Sequence, residues 1–411
     1  MNLWRKLAPI AGASLIALVA GCGQVEEPAS AVTGDPIRIG FVCSCSGAQS
    51  HALGRMADIA EAWAKSVNAS GGINDHPVEV IVKDDGLDAA RSLQAVKELV
   101  ENDKVMAISG EASLVSSSWV NYLADKRVPV VGGLTFSTPY ETSPDFFSTG
   151  ASLTLQEYGA YSLAKEQGAE KLGFLYCSDS PTCKDSAGVA EKIVKGLGME
   201  IVSAPVSSTA PNYTAQCLQM RDEGVDALMI LNSGPVQARV LSSCAQQGYT
   251  PTTVSTAGGS SDTWTQDPNF DGRLMSSAIA PWQDESVPGV RTFLEAIDTF
   301  APDLRGSELF QQPAALVWAG LELFKAAAEG GGVGPQSTPA DVRNGLYGLV
   351  DETLDGWTAP LNFHEGETSS VPCYFVMGIE DGAFVSPEGV GPLCVDEGVY
   401  TGLKALRASR R

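Results

Sequence analysis

The sequence predicts an α/β protein built from two successive halves, each a parallel-type sheet covered by helices. Three observations carry this. From residue 36 onward, short β-branched runs alternate with helical periods of about 10–15 residues, the pattern of βαβ crossovers. The alternation starts again near residue 171. A length of 411 residues is too great for one ordinary domain and suits two lobes of common size plus a leader and a tether.

In the first half, 37–42 reads as a strand, 53–68 as a helix, 78–83 as a strand and 89–101 as a helix. Residues 105–108 and 128–131 continue as strands, with a helix over about 116–126 between them. In the second half the strands are 171–176, 200–202, 227–231 and 253–255, and the helices 186–197, 213–223 and 235–247. Beyond Ala280 a helix-rich stretch containing 310–329 and 339–349 leads into strands at 374–377 and 383–385. The glycine-rich run Gly330-Gly331-Gly332-Val333-Gly334-Pro335 follows a helix and does not open one, so it reads as a loop and not as a phosphate cradle.

Hydrophobic residues at 44% and charged residues at 18% describe a soluble globular chain. A formal net charge of -22 excludes nucleic acid as a partner, because affinity for phosphate backbones comes from Lys and Arg. It also disfavours adhesion to anionic headgroups. Residues 1–21 read as a signal peptide: Arg5 and Lys6 precede an apolar run over 7–20, which is short of the roughly 20 residues a spanning helix needs. The closing Val19-Ala20-Gly21-Cys22 resembles a bacterial lipobox, which makes Cys22 the acylated first residue and a lipid anchor the contact with the membrane. Residues 22–35 are polar, contain Pro and Gly, and form a flexible tether.

Of nine cysteines, eight remain after Cys22, an even number in an exported chain, so disulfides are the default reading. Cys177 and Cys183 close a tight loop, Cys217 and Cys244 lie on consecutive helical segments, and Cys373 and Cys394 flank the last strands. Cys43 and Cys45 are two apart, which strains a bridge between them, so this pair could instead be free or joined elsewhere and its state stays open. No Cys-x-x-Cys pair occurs, and His51, His76 and His364 stand far apart, so a metal site is not indicated. A calcium loop at 84–88 lacks the bidentate Glu at its twelfth position.

Several short motifs follow one another in a familiar order: Ile37-Arg38-Ile39-Gly40, Ser46-Gly47 with Gly54, Val67-Asn68-Ala69-Ser70-Gly71-Gly72-Ile73, Val82-Lys83-Asp84-Asp85, Lys97-Glu98-Leu99-Val100, Asp103-Lys104-Val105 and Ile108-Ser109-Gly110. In these the chain resembles the leucine/isoleucine/valine-binding-type periplasmic proteins, the substrate-binding proteins of branched-chain amino acid ABC transporters. The resemblance is strong over about 36–135 and looser to about 385. It implies a type I periplasmic binding protein: two Rossmann-like lobes joined by a three-strand hinge, with lobe 1 at 36–151 and 281–368 and lobe 2 at 152–280 and 369–405. It further implies a monomeric, non-enzymatic receptor without cofactor, outside the cytoplasmic membrane, that closes on a small molecule and presents it to a permease.

The residues agree on where a ligand would sit, since open α/β sheets bind beyond the carboxyl ends of their strands. The serine-rich turn after Ile108 leads into a helix, and hydroxyls beside a helix N-terminus suit an anion. The resemblance assigns a ligand carboxylate to Ser116 or Ser117; as plain sequence these serines could equally cap the helix. It assigns Phe136, Ser137 and Thr138 from the turn after Val131 as further contacts. The first loop, 46–54, is one residue longer than the family pattern and lines the cleft mouth with His51. No second catalytic group stands near His51 in the sequence, so His51 reads as a contact and not as a general base.

The second half departs from amino-acid binders in two places. Asp179-Ser180-Pro181-Thr182-Cys183-Lys184 stands where an aromatic and Gly are usual, and Thr256-Ala257-Gly258-Gly259-Ser260 stands where a Glu meets the ligand ammonium. Asp262 is the nearest substitute, and Trp264 or Trp282 could supply an apolar wall. A ligand sensor for a signalling receptor is the alternative within the same class. A secreted hydrolase is disfavoured, since Gly-x-Ser-x-Gly and His-Glu-x-x-His are absent and the Ser162 to Lys165 pair lies in a helical stretch.

The leader generates one expectation. Intact-mass analysis of protein from the membrane fraction should show residues 1–21 lost and acyl mass gained at Cys22; a mature species with an unmodified Cys22 thiol would overturn this reading.

Overall fold

The computed structural model describes residues 32–47, 50–178, 181–369 and 371–408, apart from the side chains of 181–185 and 407–408. The leader, Cys22 and most of the tether lie outside the described residues.

The first sheet holds β1 (Ile37–Cys43), β2 (Val78–Asp84), β3 (Ile108–Glu111), β4 (Val130–Gly133) and β5 (Phe146–Phe147) in the order β2-β1-β3-β4-β5, and every pair is parallel. Near-continuous apolar runs suit strands covered on both faces, and β1 is buried throughout except at Arg38. Between these strands run α1 (Ser50–Leu53), α2 (Met56–Ala69), α3 (Ala89–Glu101), α4 (Val120–Lys126) and α5 (Pro139–Thr142). Asp88 caps α3 by accepting from the Arg91 N–H at 2.8 Å.

The second sheet holds eight strands. β6 (Lys171–Cys177), β7 (Glu200–Val206), β8 (Ala227–Leu231), β9 (Thr252–Thr256) and β10 (Leu274–Ser277) are mutually parallel. α6 (Leu153–Glu166), α7 (Pro181–Gly196), α8 (Thr214–Asp222) and α9 (Gly234–Gln246) belong to this half. After β10 the chain returns to the first half as α10 (Pro288–Phe300), α11 (Gln312–Gly330) and α12 (Pro339–Tyr347). It then re-enters the second sheet as β11 (Cys373–Glu380), β12 (Ala383–Val385) and β13 (Leu393–Cys394), all antiparallel, and ends in α13 (Glu397–Ala408).

The chain thus passes between the sheets three times, and the passages lie side by side. Ala151 N donates to Ala278 O at 3.2 Å. Ser148 N donates to Ser369 Oγ at 3.0 Å, and Ser369 Oγ donates to Phe146 O at 2.9 Å. Gly150 permits this approach, since a Cβ there would stand 2.2 Å from Ala278 O.

Sequence reasoning needs correction at several elements. The expected strand at 105–108 is displaced: residues 105–107 approach β1 through Met106 N to Arg38 O at 3.2 Å, but the strand proper begins at Ile108. The helix expected over 116–126 is a 3-10 turn, Ser116–Ser118, followed by the seven-residue α4. The helix expected from 53 breaks at Gly54, which leaves α1 as a separate turn before α2. The short strands β5 and β10 were not anticipated, and the antiparallel edge makes the second sheet mixed.

The cysteines pair as Cys217–Cys244, joining α8 to α9 with Cα atoms 4.9 Å apart, and Cys373–Cys394, joining β11 to β13. Cys43 and Cys45, whose state the spacing leaves open, are bonded to each other. The chain leaves β1 at Cys43, and this bend brings the two Cα atoms to 5.1 Å. Cys177 is disulfide-bonded, while the Cys183 side chain lies outside the described residues.

The tightest packing in the first half joins α11 to the sheet. Residues 312–321 are buried on every side, as a helix in a core must be. Gly320 lies against the glycines of β3 and β4, where a Cβ would stand 2.7 Å from Gly132 C and Gly133 N. Gly320→Ala should therefore cost about 1–3 kcal/mol through overpacking. Urea unfolding should show a lower midpoint with an unchanged slope.

Candidate functional site

The carboxyl ends of β1, β2 and β3 carry three turns, and one carboxylate holds them together. Asp85, fully buried after β2, accepts from Ser44 Oγ at 2.8 Å, Ser92 Oγ at 3.0 Å, Ser113 Oγ at 2.5 Å and Leu87 N at 2.8 Å. Ser44 belongs to the turn after β1, Ser113 to the turn after β3 and Ser92 to α3. Ser44 Oγ in turn accepts from Leu114 N at 3.1 Å, and Trp119 Nε1 donates to Ser92 Oγ at 3.0 Å. Asp84 accepts from Ser46 N at 3.1 Å and Gly86 N at 2.9 Å. These carboxylates are occupied by backbone and hydroxyl donors, and among the described residues no cluster suits a metal ion.

The serine turn that this network positions holds Ser116, buried, and Ser117, exposed. Ser116 Oγ donates to Ser137 Oγ at 3.4 Å, so the structure brings together two candidate residues from the turns after β3 and β4. Phe136 and Ser137 are half-buried and Thr138 is exposed at the start of α5. His51 is exposed on α1, at the turn after β1. The helix dipole invoked for the serine turn is weaker than expected, because the α-helix that follows has one short run of seven residues. What the turn offers is hydroxyls and local backbone N–H groups.

Sequence reasoning missed Glu111. It ends β3, is fully buried, accepts from Ser113 N at 2.7 Å through Oε2, and leaves Oε1 without a partner. Tyr140 beside it donates to Gly132 O at 2.6 Å. Burial pushes the Glu111 carboxyl up to about 8, with the Asp85 charge adding to the effect. Its only sequence signal was an acidic residue inside an otherwise apolar and hydroxylic strand end.

In the second half, the turn after β8 is Asn232-Ser233, opening α9, and the turn after β9 is a 3-10 turn, Ala257–Gly259. Ser260 Oγ donates to Ala257 O at 2.7 Å and accepts from Trp282 Nε1 at 3.1 Å. Gln312, opening α11, donates through N to Ser260 O at 3.3 Å and through Nε2 to Ser277 Oγ at 2.6 Å. The turn after β9 is thereby tied to the first half.

Two expectations for this half are corrected. Trp264 and Trp282 are buried, packed on Phe270 and Phe310, and so stand behind any wall and not in it. Asp262, the suggested ammonium partner, is half-buried and already accepts from Gln283 Nε2 at 2.6 Å and Gly306 N at 3.3 Å.

A profile of the periplasmic binding protein family matches residues 36–383. Three solved structures are similar at 18% identity and TM-score 0.69. An extracellular ligand-binding receptor from Verminephrobacter eiseniae ef01-2 is matched over 85% of this chain and 99% of its own. An ABC transporter solute-binding protein from R. palustris, in complex with 4-hydroxybenzoate, is matched over 89% and 99%. The branched-chain amino acid transporter substrate-binding protein of Streptococcus pneumoniae, in complex with isoleucine, is matched over 88% and 100%. At this identity the likeness speaks to the fold. No curated protein matches the sequence.

The Glu111 environment sets a pH dependence. A carboxyl raised from 4.5 to about 8 in the folded chain holds its proton where the unfolded chain has lost it. Stability from this group is complete below about pH 4.5 and is lost as pH rises towards about 8. Glu111→Gln should flatten that decline, read from urea midpoints at pH 5, 6.5 and 8; an unchanged slope would show that Glu111 is ionised when folded.

Proposed function

This chain belongs to the periplasmic binding protein family, and from that premise we propose that it is the lipid-anchored solute receptor of an ABC importer. The family consists of solute-binding proteins and implies an extracytoplasmic place. No helix among the described residues is long and apolar enough to cross a membrane, which is compatible with the proposed anchor at Cys22. We take 36–151 with 281–368 as the first lobe and 152–280 with 369–405 as the second, with hinge closure between them delivering the ligand to a permease.

The observation that carries the ligand class is an asymmetry between the lobes. Ser116 and Ser137 meet at 3.4 Å where a ligand acceptor would be held, with Phe136 and Thr138 beside them and Ser117 and His51 at the rim. The opposing turn, 256–260, offers no carboxylate, and Asp262 is already bonded elsewhere. A buried ammonium without a charged partner costs several kcal/mol, enough to remove most affinity for an ordinary amino acid. The fitting ligand is a small organic acid or amide. The relatives' ligands, 4-hydroxybenzoate in one and isoleucine in another, bracket this choice.

Calorimetry against branched-chain amino acids and their deaminated analogues tests the reading. The acids should bind and the amino acids should not, and Ser137→Ala should weaken the acids about ten- to a hundredfold, the worth of one hydrogen bond to a charged group. Tight binding of a branched-chain amino acid with none of the matching acid would sink the proposal.

A further inference from the structure

Arg273, the residue before β10, is fully buried. Its guanidinium lies over Phe270 at 4.6 Å and Trp264 at 5.0 Å. Nη1 donates to Gln237 Oε1 at 2.6 Å and reaches Ser255 Oγ at 3.5 Å, while Nε and Nη2 have no partner. Among the described residues no carboxylate bonds to it. Asp267, whose field acts on it, accepts instead from Asn269 N at 2.9 Å and Asn269 Nδ2 at 2.7 Å. Burial pulls the group down to about 9, so it stays charged at neutral pH. The aromatic faces recover only part of the desolvation penalty, since cation–π attraction is weaker than the cost of burying an ion.

The position of this unneutralised charge is informative. Gln237 lies in the first turn of the 13-residue α9 and donates to Asn232 O at 2.9 Å. Asn232, just after β8, has its own Nδ2 buried without a partner. A Cβ on Gly259 would stand 3.6 Å from Gln237 Nε2, and one on Gly234 would stand 3.1 Å from Gly259 O. The guanidinium therefore sits one side chain behind the turns at 232–234 and 257–259, where the α9 dipole also begins. Neither turn contains an acidic residue.

We infer that Arg273 is a specificity-determining positioning residue: acting through Gln237, it makes the second lobe's wall receive an oxygen acceptor of the ligand and reject an ammonium. The inference rests on the interlobe site proposed above and deepens it. With Ser116 and Ser137 holding one acceptor, the ligand carries oxygen at both ends, as a hydroxy acid or dicarboxylate does. A charge that the fold itself leaves uncompensated is then completed by the ligand, in the way functional sites retain groups that do not favour the fold.

Gln237→Glu tests this directly, because it places a carboxylate where the amide oxygen already meets Nη1. Pairing a buried cation should outweigh loss of the bond to Asn232 O, so the melting temperature should rise. Binding is read with two probes that share a benzoate and differ at the far end, 4-hydroxybenzoate and 4-(aminomethyl)benzoate. The native protein should prefer the hydroxyl probe, and the variant should lose that preference by about tenfold or more. Arg273→Met, which removes the charge while keeping the side-chain volume, should do the same. Preference that survives in both variants, or a native preference for the ammonium probe, overturns the inference. Failure of both variants to fold would mark Arg273 as a structural cation and overturn it as well. A native protein that binds neither probe rejects the ligand class proposed above, and this inference with it.

Discussion

The geometry of the first lobe's binding edge hangs on the Asp85 carboxylate. Hydrogen bonds to an ionised acceptor are roughly twice as strong as neutral ones, and this acceptor gathers hydroxyls from the turns after β1 and β3 and from α3. The turn after β3, 112–118, would otherwise be a serine-rich segment with few hydrogen bonds to fix it. Ser113 is fixed by Asp85 and Leu114 by Ser44, and Ser116 follows two residues later, facing Ser137. Removing Asp85 would strand buried hydroxyls at about 1–3 kcal/mol each, so the network stands or falls together.

This dependence explains what the sequence disclosed and what it hid. Strands such as β1 and β8 and helices such as α3 were legible because long apolar periods carry their own signal. β5, with two residues, and β10, with four, are too short to show a period and exist only because neighbours present an edge. Ser116 and Ser137 were found because hydroxyls at strand ends are visible as residue types. Glu111 and Arg273 were not, since a charged residue in a sequence gives no sign of being buried. Asp85 was visible as part of a motif, but its partners lie 7 to 41 residues away and only the fold joins them. The Cys43–Cys45 bridge could not be read from the sequence because spacing alone ignores the bend that follows β1.

The two lobes store opposite kinds of expense. The first buries a carboxyl that is held neutral, and the second buries a guanidinium that stays charged. Held neutral, Glu111 adds no second negative charge beside Asp85 at the first lobe's edge. A bare cation behind the opposite turns adds a positive one. The two departures from good core design therefore act in the same electrostatic direction, which a pair of unrelated packing defects has no reason to do.

Closure about a hinge asks for stiff lobes and a pliant join, and the bonding divides accordingly. Within the second half, Cys217–Cys244 ties two helices and Cys373–Cys394 ties the antiparallel edge, constraints that cannot be given up during a motion. Within the first, α11 is locked to β3 and β4 by backbone contact at Gly320. Between them, the three passages share few hydrogen bonds, Ala151 to Ala278 and Ser369 with Ser148 and Phe146, each worth about 1 kcal/mol net. Gln312 is the exception, since it grips Ser260 and Ser277 at once and sits beside the turn after β9. A ligand that draws the 257–259 turn inward would work against that grip first. On the proposed closure, Gln312 is therefore the residue on which ligand binding and lobe movement would bear together.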